Sequence, residues 1–188
     1  MYSTIKFIAA GALAAFLALA GYAAYLQLTV NFHEVVPGEL YRAAQMDGSD
    51  LARWKREYGI ASVLNLRGDN SGKDWYEAER GVADRLGIAH LDFGISARKQ
   101  LDAETVAALL RIMRDAPKPV LIHCQGGADR TGLASALYLA AIKGRGEDES
   151  ESQLSLRYGH FGIPGLSQAW PMDETWERAE SSLGFPES

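Results

Sequence analysis

The chain begins with an apolar stretch that carries no charge from Phe7 to Val30, and then changes to short strand-like and helix-like pieces in alternation. At about 1.5 Å per helical residue, the uncharged stretch is long enough to cross a hydrocarbon core of roughly 30 Å. Its first part also fits a cleavable signal peptide, with Lys6, a run from Phe7 to Leu17, and Ala18-Leu19-Ala20 before Gly21. Apolar character continues past that point through Tyr22, Ala23, Ala24, Tyr25, Leu26 and Leu28, a tail that a spanning helix needs and a signal peptide does not. Tyr22 and Tyr25 suit an interfacial belt. The pattern therefore predicts an uncleaved N-terminal anchor over 1–30 and one domain over 31–188. Lys6 and the α-amino group precede the span, while Glu34, Glu39 and only Arg42 follow it closely. The positive-inside rule then puts the N-terminus in the cytoplasm and the domain on the exported side.

Beyond the span, Glu39–Arg42 reads as a short strand. Ser49 is placed to cap a helix through Lys55 that stops near Gly59. Ile60–Leu66 is a buried strand, Gly68–Gly72 a loop, Trp75–Leu86 a helix closed by Gly87, and Ile88–Phe93 another strand. Asp102 caps a helix whose apolar face is Val106, Leu109, Leu110 and Met113, and Pro117 ends it. Val120-Leu121-Ile122 is a continuous apolar run, the mark of a central strand covered on both faces. Thr131–Lys143 is helical, Gly144-Arg145-Gly146 breaks it, and helical stretches follow near Glu147–Tyr158 and Asp173–Leu183. The acidic run Glu147–Glu151 reads as a solvated first turn. Alternating strands and helices predict an α/β fold, a mostly parallel sheet flanked by helices on both faces.

Composition adds exclusions. With 188 residues, 47% of them apolar and 23% charged, the chain is an ordinary globular size and mix. A net charge of −5 with no Lys/Arg-rich stripe argues against nucleic acid as a partner. One cysteine, Cys124, excludes an internal disulfide.

That cysteine lies where chemistry is expected. The strand ends at His123-Cys124, glycines follow at 126 and 127, and a helix starts near Arg130-Thr131. A strand, a glycine-bearing loop and a helix N-terminus aim backbone N–H groups and the positive end of a dipole at one point, at the edge of the sheet where α/β proteins bind ligands. Donors that hold an anion also favour a thiolate over a thiol. Arg130 adds a planar fork able to grip two phosphate oxygens.

The run His123-Cys124-Gln125-Gly126-Gly127-Ala128-Asp129-Arg130-Thr131-Gly132 resembles the signature of the cysteine-dependent tyrosine and dual-specificity phosphatases. Tyr41–Gln45 and Val63–Arg67 resemble segments of bacterial and atypical dual-specificity members, and the likeness extends over roughly Val36–Lys143. The resemblance implies Cys124 as nucleophile and Arg130 as clamp. It implies a cradle of N–H groups from Gln125, Gly126, Gly127, Ala128, Asp129 and Arg130, supported by His123 and by the Thr131 hydroxyl. It implies neither metal nor cofactor. A general acid is also expected, and relatives take an Asp from a loop about thirty residues before the cysteine. Asp92 fits that place, with Asp102 and Asp129 as alternatives.

Gln125 and Ala128 stand where relatives acting on highly phosphorylated inositol lipids carry lysines, and acidic Asp129 lies beside them, so a singly phosphorylated substrate such as phosphotyrosine is favoured. A membrane anchor, with Arg98 and Lys99 in the loop beyond Asp92, keeps phosphoinositides open. Two other classes stay open: a rhodanese-like sulfurtransferase, which also uses a loop cysteine, and a non-catalytic phosphate-binding module.

Overall fold

The computed structural model describes residues 2–185, and the α-amino group and the Lys6 side chain used in the orientation reading lie outside what it describes. Helix α1 runs Tyr2–Leu28, and its segment Ala10–Leu28 is long and apolar enough to cross a membrane. Its last turns pack on the domain: Leu26 is buried, and the Tyr22 hydroxyl donates to the Arg157 carbonyl at 2.5 Å. A turn with left-handed Val30 and Asn31 (φ 53° and 45°) then leads into the sheet.

Five strands make the sheet: β1 His33–Val36, β2 Leu40–Ala43, β3 Ser62–Asn65, β4 Ala89–Asp92 and β5 Val120–His123. Their order is β1-β2-β5-β3-β4, with β1 antiparallel to β2 and every other pair parallel. The mostly parallel sheet expected from the sequence is present. The antiparallel edge β1 was not expected, because four residues with His33 and Glu34 in them carry little strand pattern.

Alternation along the buried strands builds two cores. Leu40, Leu64, Val120 and Ile122 face helices α4 (Ala103–Asp115), α5 (Asp129–Leu137) and α7 (Trp170–Leu183), where Leu109, Met113, Leu133, Leu137, Met172 and Trp176 complete the packing. Tyr41, Val63 and Leu121 face α2 (Gly48–Tyr58) and α3 (Asp74–Leu86) through Leu51, Trp54 and Ala83. A strand sandwiched in this way has side chains of both parities out of water, as the apolar run at 120–122 predicted.

Several boundaries differ from expectation. Asp47, not Ser49, caps α2, accepting from the backbone N–H groups of Ser49 and Asp50. The helix expected over Thr131–Lys143 starts at Asp129 and passes at Tyr138–Ile142 into a π-helical turn, whose uniformly apolar residues hide the change of period. The helix expected over Glu147–Tyr158 reduces to α6 (Glu147–Glu151) and a 3₁₀ turn at Leu156–Tyr158. Asp102 does cap α4, accepting from the Thr105 N–H at 2.8 Å.

Candidate active site

Strand β5 delivers Cys124 to the C-terminal edge of the sheet, and α5 begins five residues later, so the connecting loop must close tightly. Gly127 makes that possible: it has φ 66°, and a Cβ there would stand 2.5 Å from the Ala44 nitrogen. Gly126 has no such constraint, with open space where a Cβ would lie.

The carbonyls of Gln125 to Ala128 are each tied by a donor from outside the loop. Gln45 N–H donates to the carbonyl of Gln125 at 3.2 Å, and the Asn31 side chain donates to that of Gly126 at 3.0 Å. Arg42 donates through Nη2 to Gly127 and Ala128 at 2.9 and 3.1 Å. In a planar trans peptide the N–H points opposite to the C=O. Four outward carbonyls therefore turn the N–H groups of Gly126, Gly127, Ala128 and Asp129 inward, where they form an anion cradle.

Arg42 is itself fully buried, bonded through Nη1 to both oxygens of Gln153, with its guanidinium 3.9 Å from the centre of the Tyr158 ring. Burial lowers its pKa to about 10, against the nearby Tyr158, Cys124 and Asp129, so it stays charged at neutral pH.

Around the buried Cys124, the Thr131 hydroxyl donates to Sγ at 3.0 Å. Arg130 is steered by the carbonyls of Leu66 and Ile95, each 3.3 Å from Nη1. His123 is fully buried beneath the loop, its Nε2 3.0 Å from Glu79, which also meets His90 at 2.8 Å and Gln45 at 2.8 Å. Burial alone would raise the Glu79 pKa. The bonds from His123, His90 and Gln45 overcome that and hold it at about 2.

The cleft over Cys124 encloses about 840 Å³ and reaches from Gln27 at the end of α1 past Ser96 and Arg98 to Phe161 and Gln168. Asp129 is the one carboxylate among the described residues lining it. Asp92 is elsewhere: Asn65 and the Tyr76 hydroxyl hold its two oxygens at 2.9 and 2.5 Å, and it does not line the cleft. Asp102 is engaged as a helix cap beside a different groove. Arg98 lines the cleft; Lys99 does not.

A buried thiol under inward N–H groups, an arginine fork above it and a threonine hydroxyl against the sulfur, all at the edge of a parallel sheet, define the cysteine-dependent phosphatases. The model for the PTP-SAK family (Swiss Army Knife protein, DSP-PTPase phosphatase domain) matches residues 29–159, and the chain belongs to that family. It therefore carries a cysteine-dependent phosphatase domain, and the sulfurtransferase alternative falls away. The dual specificity protein phosphatase TpbA of Pseudomonas aeruginosa is 27% identical over 136 residues, 71% of this chain and 56% of the relative, so the match spans little more than half of that protein. Two crystal structures of TpbA share the fold, with TM-scores of 0.62 and 0.55 at 22% and 19% identity. They match 82% and 78% of this chain and 89% and 91% of theirs, and the second is a cysteine-to-serine variant in complex with phosphotyrosine. The core catalytic domain of the PP-IP phosphatase SIW14 from S. cerevisiae, in complex with citrate, shares it too, with TM-score 0.59, 21% identity and coverage of 82% and 93%.

Proposed function

We propose that this phosphatase hydrolyses single phosphate monoesters, phosphotyrosine foremost, through a phosphocysteine on Cys124, with Asp129 rather than Asp92 as the general acid. The observation that carries the reading is the outward anchoring of the four carbonyls from Gln125 to Ala128. It leaves preorganised donors for the phosphoryl oxygens, which need no reorganisation as charge moves in the transition state.

In this scheme Arg130 and the cradle bind the phosphoryl group, and the Cys124 thiolate attacks phosphorus while the ester oxygen leaves with a proton from Asp129. Water, activated by Asp129, then splits phosphocysteine, and the Thr131 hydroxyl stabilises the departing sulfur. His123, buried against Glu79, fixes the start of the loop. Asp129 is preferred because it lines the cleft, whereas both oxygens of Asp92 are engaged outside it.

Phe161, about half exposed at the cleft mouth, offers a flat apolar wall for an aryl ring, and Arg98 offers a cation. The name of TpbA and its phosphotyrosine complex support the same substrate class. The second reading, an inositol phosphate or phosphoinositide, draws on SIW14 and on Gln27, which brings the end of α1 into the cleft. The absence of cations at Gln125, Ala128 and Asp129 weighs against it. We further propose that residues 1–30 are an uncleaved anchor holding the domain 31–188 on the exported face of a membrane, with Tyr22 and Tyr25 at the interface.

The test is turnover of p-nitrophenyl phosphate, phosphotyrosine peptide, phosphoserine peptide and phosphoinositide by the wild type and Cys124→Ser. The expected order puts phosphotyrosine first, with all activity lost in the variant. A phosphoinositide preference would shift the assignment to the second reading.

A further inference from the structure

Two charged side chains next to Asp129, His160 and Asp173, have no part in the scheme above. His160 follows the 3₁₀ turn, its side chain 2% exposed, with Nδ1 2.8 Å from Asp129 Oδ1 and Nε2 3.0–3.1 Å from both carboxylate oxygens of Asp173 on α7. Carboxylates only accept hydrogen bonds, so the imidazole satisfies both contacts only when both nitrogens carry protons. Its backbone is fixed as well, with the His160 N–H donating to the Ser155 carbonyl at 3.1 Å. The glycine at 162 lets the pair close, because a Cβ there would collide with the Asp173 carboxylate.

We propose that His160, held by Asp173, is a positioning residue that keeps a proton in store for Asp129. The inference rests on Asp129 being the general acid. When substrate enters, the Nδ1–H bond of His160 breaks as an O–H bond forms on Asp129. Asp129 then gives that proton to the ester oxygen as the oxygen–phosphorus bond breaks and the Sγ–phosphorus bond forms. His160 is left neutral, its Nε2–H still on Asp173. In the second step the attacking water loses a proton to Asp129, which returns it to His160, so each turnover leaves the pair unchanged.

The charges around the imidazole agree with this. Asp129 from α5 and Asp173 from α7 face it directly. Arg42 lies within electrostatic reach of Asp129, and Glu151 on α6, raised chiefly by burial and by Glu147 and Asp148, also lies within reach of Asp173. Burial opposes protonation of His160, but the bonds from Asp129 and Asp173 outweigh it and raise the pKa to about 9. The store therefore stays filled across the neutral range.

The experiment measures kcat/KM against pH for the full chain, and across aryl phosphates of graded leaving-group basicity, for wild type, His160→Asn, Asp173→Asn and Asp129→Asn. Wild-type activity should persist to about pH 9. His160→Asn removes the titrating imidazole and should move the basic limb to lower pH. It should also slow phenyl phosphate about a hundredfold while slowing p-nitrophenyl phosphate far less, since a good leaving group needs little protonation. Asp173→Asn, which keeps the imidazole and provides the same readout if His160→Asn does not fold, should give the same changes at smaller size. An equal loss on every leaving group, or an unmoved basic limb, would overturn the proposal. If Asp129→Asn shows the leaving-group dependence and His160→Asn does not, the acid assignment stands and only the relay fails. If Asp129→Asn shows none, the acid assignment itself is wrong.

Discussion

Arg42 and Gly127, 85 positions apart in sequence, meet at 2.9 Å, and through this contact a buried strand sets the direction of peptides in the phosphate cradle. The second bond from the same nitrogen, to Ala128, means that one guanidinium orients two successive N–H groups. A lysine has a single nitrogen and cannot hold these two carbonyls while also holding both oxygens of Gln153, as the two nitrogens of Arg42 do. Arg42→Lys should therefore lower kcat/KM by about a hundredfold, the scale of losing one preorganised oxyanion donor. It should also weaken vanadate binding in parallel, as measured by inhibition.

The two glycines of the loop should behave differently. Gly127→Ala forces a Cβ against the Ala44 backbone in a left-handed conformation and should cost about 2 kcal/mol or more of stability, with activity lost. Gly126→Ala meets open space and should fold with a near-normal melting temperature. Thermal unfolding of the two variants checks the pair.

Glu79 makes the fold acid-sensitive. Its folded pKa, about 2, lies below the unfolded value near 4.5, so its contribution is complete above about pH 4.5 and lost as the pH falls toward 2. Glu79→Gln should flatten that acid limb in a plot of stability against pH. It should also lower stability at neutral pH by about 3 kcal/mol, because His123 and His90 lose a buried partner.

His160 gives the opposite sign. A pKa raised from 6.5 to about 9 contributes fully below pH 6.5 and is lost as the pH rises through 9. Wild type should lose on the order of 3 kcal/mol over that interval, and His160→Asn should not. Denaturant titrations at pH 6 and pH 9.5 measure the difference.

The acid is decided by comparing Asp92→Asn with Asp129→Asn. Asp129→Asn should cost about a hundred- to ten-thousandfold in kcat on a poor leaving group. Asp92→Asn should leave kcat within about tenfold and show mainly a stability loss from its bonds to Asn65 and Tyr76. Rate assays with phenyl phosphate separate them.

The cradle was legible in the sequence because its nucleophile, clamp and turn glycine are contiguous, and the apolar run before it could only be a covered strand. The parts that hold the cradle were not. Asn31, the pair Arg42 and Gln45, and Glu79 come from three other segments, and only their contacts reveal their roles. Arg42 alone left a trace, as a charge inside an otherwise buried strand, Leu40–Ala43. Asp92 lies at the active-site edge of the sheet as its position predicted, but strand register does not determine where a carboxylate points, and Asn65 and Tyr76 turn it away. His160 gave no signal in the sequence, since its two partners lie 31 and 13 residues from it.

A covalent bond between Cys124 and phosphate is tested directly by rapid acid quench of the full chain with a phosphotyrosine peptide, followed by mass spectrometry. One phosphoryl group is expected on the peptide carrying Cys124, absent in Cys124→Ser and accumulating further in Thr131→Val. Steady turnover with no phosphocysteine at any quench time, or full turnover by Cys124→Ser, would contradict it.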